Sequence, residues 1–175
     1  MSVLVVGSVA LDSVETPFGK ADNVIGGSGT FFSASASHLA PVQLVGVVGN
    51  DYPMQQLEPL RKRGVDMAGL EQADGNSFRW RGRYRHDLNS AETLETHLGV
   101  FSHFSPKIPP QFQRAPFVFL ANIDPRLQLE VLDQVRKPRL VACDTMNFWI
   151  DGSREALLAL LERVHILMVN DAEAR

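Results

Sequence analysis

Residues 3–12 read VLVVGSVALD: an apolar run over Val3–Val6, then Gly7, then Asp12 beyond it. A run of this kind, without polar alternation, marks a strand covered on both faces. The signature returns at 42–48 (VQLVGVV), 117–121 (FVFLA), 139–143 (RLVAC) and 166–169 (ILMV). Helical stripes lie between these runs. Met54, Leu57 and Leu60 form one, with Asp51 as N-cap, Pro53 in the first turn and Gly64 as the stop. Leu127, Val131, Leu132 and Val135 form a second, begun by Asp124 with Pro125 at the first helical position. A third, Leu157, Leu158, Leu161 and Val164, begins at Ser153. Strands alternating with helices specify parallel βαβ units and an open α/β sheet.

Two stretches break the rhythm. Residues 29–40 (GTFFSASASHLA) read as a helix of small side chains, suited to a close approach to the sheet. In 77–99, Phe78, Trp80, Gly82 and Tyr84 alternate with Arg79, Arg81, Arg83 and Arg85. That period of two predicts a half-exposed antiparallel strand, with 92–98 as its partner, in a small β-flap. The arginines read either as cover for an anionic ligand or as a solvated edge strand, and charged edges discourage strand-to-strand aggregation.

Composition narrows the function. The chain has 175 residues, the size of one domain or slightly more, and a formal net charge of −3. A near-neutral balance argues against a nucleic-acid binder driven by bulk charge. No apolar run approaches the roughly 20 residues that span a bilayer, and the N-terminus lacks the basic and small-residue features of a signal peptide. The single cysteine, Cys143, fits a reducing compartment and reads as core. A cytoplasmic protein with no membrane or nucleic-acid partner is expected. The five histidines show no metal-binding spacing.

Several residues could carry chemistry. Asp12 falls just beyond the carboxyl edge of the first strand, where open α/β sheets bind ligands. Its two acceptor oxygens suit neighbouring sugar hydroxyls, and a turn or cap is the alternative role. Gly26-Gly27-Ser28-Gly29 opens the small-residue helix, where glycine lets a ligand or a hinge approach the backbone. Gly27-x-Gly29-x-x-Phe32 fails the dinucleotide fingerprint at its third position, against an oxidoreductase, and there is no phosphate loop. Asn170 and Glu173, three apart after the fifth run, can share a helical face and hold a hydrated cation or phosphate; capping and a solvated carboxylate are the alternatives.

In order along the chain, GSVALD (7–12), GGSGTFFSASASHLA (26–40), LVGVVGNDYP (44–53), LRKRGVD (60–66), DTMNFW (144–149) and VNDAEAR (169–175) strongly resemble the ribokinase-like (PfkB) family of carbohydrate and nucleoside kinases. The resemblance covers essentially the whole chain. It implies a doubly wound, mostly parallel α/β sheet with a small β-sheet lid formed by about 13–25 and 77–99. On this resemblance, residues 1–175 are the N-terminal part of a single kinase domain whose C-terminal part is absent.

The resemblance also implies ATP- and Mg2+-dependent phosphorylation of a hydroxyl on a sugar, cyclitol or nucleoside, with dimer contacts through the lid. Asp12 would bind sugar hydroxyls, Gly26 and Gly27 would form the lid hinge, and Asn122 would add a substrate contact. Asn170 and Glu173 would position the magnesium and phosphates, Glu173 through water. The family's catalytic aspartate sits in a Gly-Ala-Gly-Asp motif that these residues lack, so its place is expected beyond Arg175. No catalytic residue is therefore expected in this chain, which alone would be inactive. A non-catalytic sugar- or nucleoside-binding relative is the alternative. Ribokinases carry Asn, Lys and Asn where this chain has Ala10, Ser28 and Phe31. Phe31 would then face an apolar part of another substrate, such as a nucleoside base, or pack in the core.

Overall fold

A computed structural model describes residues 1–86, 88 and 91–175. Asp87, Asn89 and Ser90, within the flap expected over 77–99, lie outside the described residues. The strands are β1 (Val3–Val6), β2 (Ala10–Thr16), β3 (Gly19–Gly26), β4 (Val42–Gly49), β5 (Asp66–Ala73), β6 (Arg79–Tyr84), β7 (Ala91–His97), β8 (Phe117–Leu120), β9 (Leu140–Asp144) and β10 (Ile166–Met168). The helices are α1 (Ser28–Ala36), α2 (Glu58–Lys62), α3 (Pro125–Gln134), α4 (Asn147–Gly152) and α5 (Arg154–Leu161), with 3-10 turns at Met54–Leu57 and Gly99–His103.

β1 carries apolar residues toward both faces, and both are covered. Leu4 and Val6 join a core with Phe101, Phe112, Val131 and Leu160, while Val5 joins Leu44, Leu57 and Leu60 in a second. The resulting six-stranded sheet has the order β10-β9-β8-β1-β4-β5, and every described pairing in it is parallel. A second, four-stranded sheet has the order β3-β2-β6-β7, antiparallel except between β2 and β6. The segments 13–25 and 77–99 thus build one small sheet. No helix of the described residues is long and apolar enough to cross a membrane.

The structure corrects several sequence readings. β5 was not among the five apolar runs, because this edge strand mixes exposed Glu71 and Gln72 with Leu70. β10 is exposed along its length, not buried, because it is the other edge and pairs only with β9. The first helical stripe is a 3-10 turn followed by the short α2, where Pro59 lacks an N–H to donate. Asp51 does not cap it. Its carboxylate accepts from the Ser77 N–H and hydroxyl, both at 2.7 Å, and pairs with Arg79 at 2.6 Å. Asp124 does cap α3, accepting from the Arg126 N–H at 2.9 Å. Ser153 precedes α5, but its side chain makes no capping bond. β6 is an interior strand, so its arginines do not decorate an edge.

α1 lies close to the sheet, as its small residues require. A Cβ at Gly29 would approach the Ser8 carbonyl oxygen to 2.9 Å. Its half-buried anchor is Phe32, stacked on Phe119 with centroids 3.7 Å apart.

Candidate functional site

β1, β8, β9 and β10 run parallel, so the segments leaving them emerge along one edge of the sheet. The small sheet reaches over that edge, and between them lies a cleft of about 320 Å³. Asp12, Gly27, Asn122, Asn170 and Glu173 all line it, from separate parts of the sequence.

Asp12 enters from β2, opposite Trp80 on β6. Trp80 and Tyr84 line the cleft on the small-sheet side and meet edge to face, and the Trp80 indole donates to the Thr93 hydroxyl at 3.1 Å. Among the described residues Asp12 forms no ion pair. Burial pushes its carboxyl up to about 6, against an opposing hydrogen bond from the Gly27 backbone. Burial, with the Asp12 charge added, also raises the Tyr52 phenol to about 12 and that of Tyr84 upward. A carboxylate held this way, without a cationic partner among the described residues, suits donors arriving from a ligand.

The double glycine makes room for it. A Cβ on Gly26 would sit 2.0 Å from an Asp12 carboxylate oxygen, so Gly26 lies beneath that carboxylate rather than on the cleft surface. Gly27 has a φ of 92°, and a Cβ there would meet the Ser8 carbonyl oxygen at 2.3 Å. Only glycine occupies such a joint without strain.

The motif DTMNFW holds a residue that the sequence reading left without a role. Asp144 ends β9 and accepts a short hydrogen bond from the Ser28 hydroxyl. Ser28 in turn accepts from the Asn122 N–H at 3.3 Å, and its own N–H donates to the Ser8 hydroxyl at 3.0 Å. These bonds tie the first turn of α1 to the ends of β1, β8 and β9. Burial raises the Asp144 carboxyl to about 7, opposed by the Ser28 bond and reinforced by the charge of Glu173. The available signal was position: Asp144 follows an apolar strand at the sheet's carboxyl edge, as Asp12 follows β1.

Asn170 and Glu173 sit at the β10 end of the cleft, within one turn rather than on an extended helical face. Asn170 Oδ1 accepts from the N–H groups of Ala172 and Glu173 at 2.9 Å, and Glu173 Oε2 accepts from the Asn170 N–H at 3.0 Å. This reciprocal capping commits the amide oxygen and one carboxylate oxygen, leaving Glu173 Oε1 as the available donor atom. Arg175 is not among the residues lining the cleft. Its guanidinium turns back to the Asp171 carboxylate at 3.4 Å and is largely exposed, so it has no place in the site. Among the described residues no group of three or more His, Cys, Asp or Glu could hold a metal. A single carboxylate oxygen fits a magnesium ion held mainly by water and phosphate.

Phe31 also lines the cleft and is 59% exposed, which removes the alternative that it packs in the core. None of Arg79, Arg81, Arg83 and Arg85 lines it, which removes the anion-cover reading for this cleft. Cys143 is buried in the core, as expected.

No protein-family model matches the chain. The chain is 25% identical over 178 aligned residues to a cytidine kinase of Thermococcus kodakarensis, covering 99% of this chain and 63% of that protein. The nucleoside kinase of Methanocaldococcus jannaschii, described as an archaeal member of the ribokinase family, superposes with a TM-score of 0.73 at 19% identity, over 99% of this chain and 62% of that one. The ribokinase of Cryptococcus neoformans in complex with ADP gives 0.73 at 19% identity, over 98% and 57%. The chain therefore spans less than two thirds of these relatives' length. Its central parallel sheet with a second small sheet is the fold of the ribokinase-family sugar and nucleoside kinases.

Proposed function

We propose that this chain is the acceptor-binding side of an ATP-dependent kinase that phosphorylates a hydroxyl of a small sugar-like molecule. The observation that carries the reading is Asp12, a carboxylate lodged on Gly26 and facing a cleft without an ion-pair partner among the described residues. It accepts hydroxyl donors of the substrate and orients the molecule along the strand ends. Asn122 adds a contact from the end of β8. The small sheet acts as a lid, with Gly26 and Gly27 as its hinge, and excludes water when it closes. ATP with magnesium, when bound, supplies the phosphoryl group and neutralises charge on its oxygens. Glu173 would hold the magnesium through water, and Asn170, by capping one Glu173 carboxylate oxygen, would position that side chain.

The family's Gly-Ala-Gly-Asp motif does not occur in these residues, so the 175 residues alone are expected to be inactive. The enzyme would be cytoplasmic. It would dimerise through the small sheet, where Phe18 and Val24 are exposed beside the open β3 edge.

A nucleoside acceptor is a second reading favoured by a specific observation: Phe31 exposes its ring in the same cleft as Trp80 and Tyr84, giving a base aromatic surfaces to lie on. The names of the Thermococcus and Methanocaldococcus relatives point the same way.

The test is a screen of phosphoryl transfer from ATP to sugars, cyclitols and nucleosides by the protein carrying this chain, with binding followed by calorimetry. Turnover of one acceptor class is the expected result. Tight binding without turnover would instead favour the non-catalytic relative, and neither binding nor turnover would remove the kinase reading.

A further inference from the structure

Three oxygens at the ends of β8 and β9 are buried and have no hydrogen-bond partner among the described residues: Asn122 Oδ1, Asp144 Oδ1 and Thr145 Oγ1. They follow the last paired residues of the two strands, Leu120 and Cys143, by one or two positions. All three residues line the cleft, between the Asp12 end and the Glu173 end. Buried polar atoms in folded proteins are nearly always paired, so three unpaired oxygens on residues that line one cleft point to a partner from outside the fold.

Three side-chain donors nearby are already committed, and the backbone N–H groups of Asp144 and Asn122 favour the charged form of the Asp144 carboxyl. The Ser28 hydroxyl donates to Asp144 Oδ2, and the Trp80 indole donates to Thr93. The Gln128 amide, buried behind the strand ends, donates to the carbonyls of Leu120, Ala121 and Asp144. An anionic group is a poor occupant beside the Asp144 carboxylate, because like charges repel. What the cluster can take is a neutral or cationic hydrogen-bond donor.

We infer that Asp144, Asn122 and Thr145 form an acceptor-rich subsite that grips a hydroxyl or amino group of the cleft-bound molecule and thereby selects it. This rests on reading the cleft as the acceptor site of a kinase. It makes Asp144 a direct ligand of the substrate through Oδ1, beyond its tie to Ser28 through Oδ2. Cytidine and uridine carry the same sugar and differ on the base by an amino donor against a carbonyl acceptor. The two sources of the donor can therefore be told apart.

The experiment measures dissociation constants for cytidine, uridine, ribose and myo-inositol by calorimetry on the protein carrying this chain. The forms compared are the unmodified protein, Asp144→Asn, Thr145→Val and Ser28→Ala, each checked for folding by circular dichroism. Asp144→Asn should weaken binding about tenfold or more, the loss typical of a hydrogen bond to a charged group. Thr145→Val, which leaves the carboxylate in place, should weaken binding of the same ligand. If cytidine binds better than uridine and Asp144→Asn levels them, the gripped donor is the base amino group. An equal loss for both, or a loss for ribose or myo-inositol, identifies a hydroxyl. Ligand binding unchanged in both Asp144→Asn and Thr145→Val overturns the inference and leaves the kinase reading standing. A loss in Ser28→Ala equal to that in Asp144→Asn, with Thr145→Val unaffected, also overturns it, because Asp144 would then act only as a tether. Failure of the unmodified protein to bind any of the four, together with no turnover in the wider screen, overturns the reading of the cleft itself.

Discussion

The two faces of the small sheet treat a carboxylate in opposite ways, and β2 supplies one to each. On the outer face, Glu15 is met by Arg81 at 2.9 Å, Lys20 at 3.1 Å and Arg83 at 3.2 Å. Those hydrogen bonds, Arg81 foremost, pull its carboxyl down to about 2. On the cleft face, Asp12 has no such cation among the described residues, and burial lifts its carboxyl to about 6. Glu15 is matched within the fold and favours the folded state when ionised. Asp12 is unmatched, disfavours folding when ionised, and keeps its acceptor atoms for something else. Matched charge here reads as structure and unmatched buried charge as function.

The contrast depends on the joint that sets the cleft face against the main sheet, so the largest effect is expected there. Gly27→Ala places a methyl against backbone atoms at a φ of 92°, where the Ser8 carbonyl cannot swing aside like a side chain. Destabilisation of about 3 kcal/mol or more is expected, from the steric clash and the left-handed backbone together. Chemical denaturation measures it, and a loss within about 0.5 kcal/mol would mean that the joint is loose.

Asp12→Asn tests the unmatched side and should separate stability from activity. The folded carboxyl titrates at about 6 against an ordinary 3.8. The wild type is therefore favoured below 3.8 and loses that advantage as pH rises through 6. Asparagine carries no such penalty. The variant should be more stable at neutral pH, by on the order of 2–3 kcal/mol, with the gap closing in acid. Its kcat/KM for the acceptor should fall by about 10- to 150-fold, the loss of a charge-assisted hydrogen bond. Thermal melts across pH and steady-state kinetics check both halves. A variant with unchanged stability and kinetics would place Asp12 with Glu15.

How much of this was legible beforehand follows the same division. Val3–Val6 and its repeats were readable because parallel strands covered on both faces advertise themselves as apolar runs. β5 and β10 lie on the sheet edges, β5 partly covered and β10 exposed, so β5 showed no run and β10 overstated its burial. The alternation from Phe78 to Arg85 disclosed a strand with two unlike faces. It could not show that Glu15, distant in sequence, stands opposite Arg83. The sequence puts Asp12, Asn122, Asn170 and Glu173 at or just past strand ends and Gly27 at the opening of a helix, and all five line one cleft. Asp144 was missed because its meaning depends on Ser28, 116 residues earlier, and no spacing rule connects the two.

Glu15→Gln tests the matched side and should give the mirror image of Asp12→Asn. Because the Glu15 carboxyl titrates at about 2 in the fold against 4.5 ordinarily, its contribution is fully present above 4.5 and lost as pH falls through 2. The variant should melt earlier than the wild type at neutral pH, converge with it in strong acid, and lose part of the difference in high salt. Kinetics should barely change. A large fall in kcat/KM would show that the outer face is coupled to the cleft.

The smallest effect is expected at Phe31, and it sharpens the comparison by removing charge from it. Phe31 and Phe32 are adjacent on α1, yet Phe32 stacks on Phe119 while Phe31 is 59% exposed in the cleft. An exposed ring contributes little to folding, so Phe31→Ala should change stability by no more than about 0.5 kcal/mol. Folding alone leaves a large aromatic unexplained there, just as it leaves Asp12 unexplained. If the ring carries a nucleoside base, its loss costs stacking worth about 1 kcal/mol, or about a fivefold rise in KM for a nucleoside. KM for a plain sugar should change less, because a sugar ring has no aromatic face to stack on Phe31. Measuring both acceptors on one variant therefore reads out the substrate class. An equal change for sugar and nucleoside would assign Phe31 to the shape of the cleft rather than to a base.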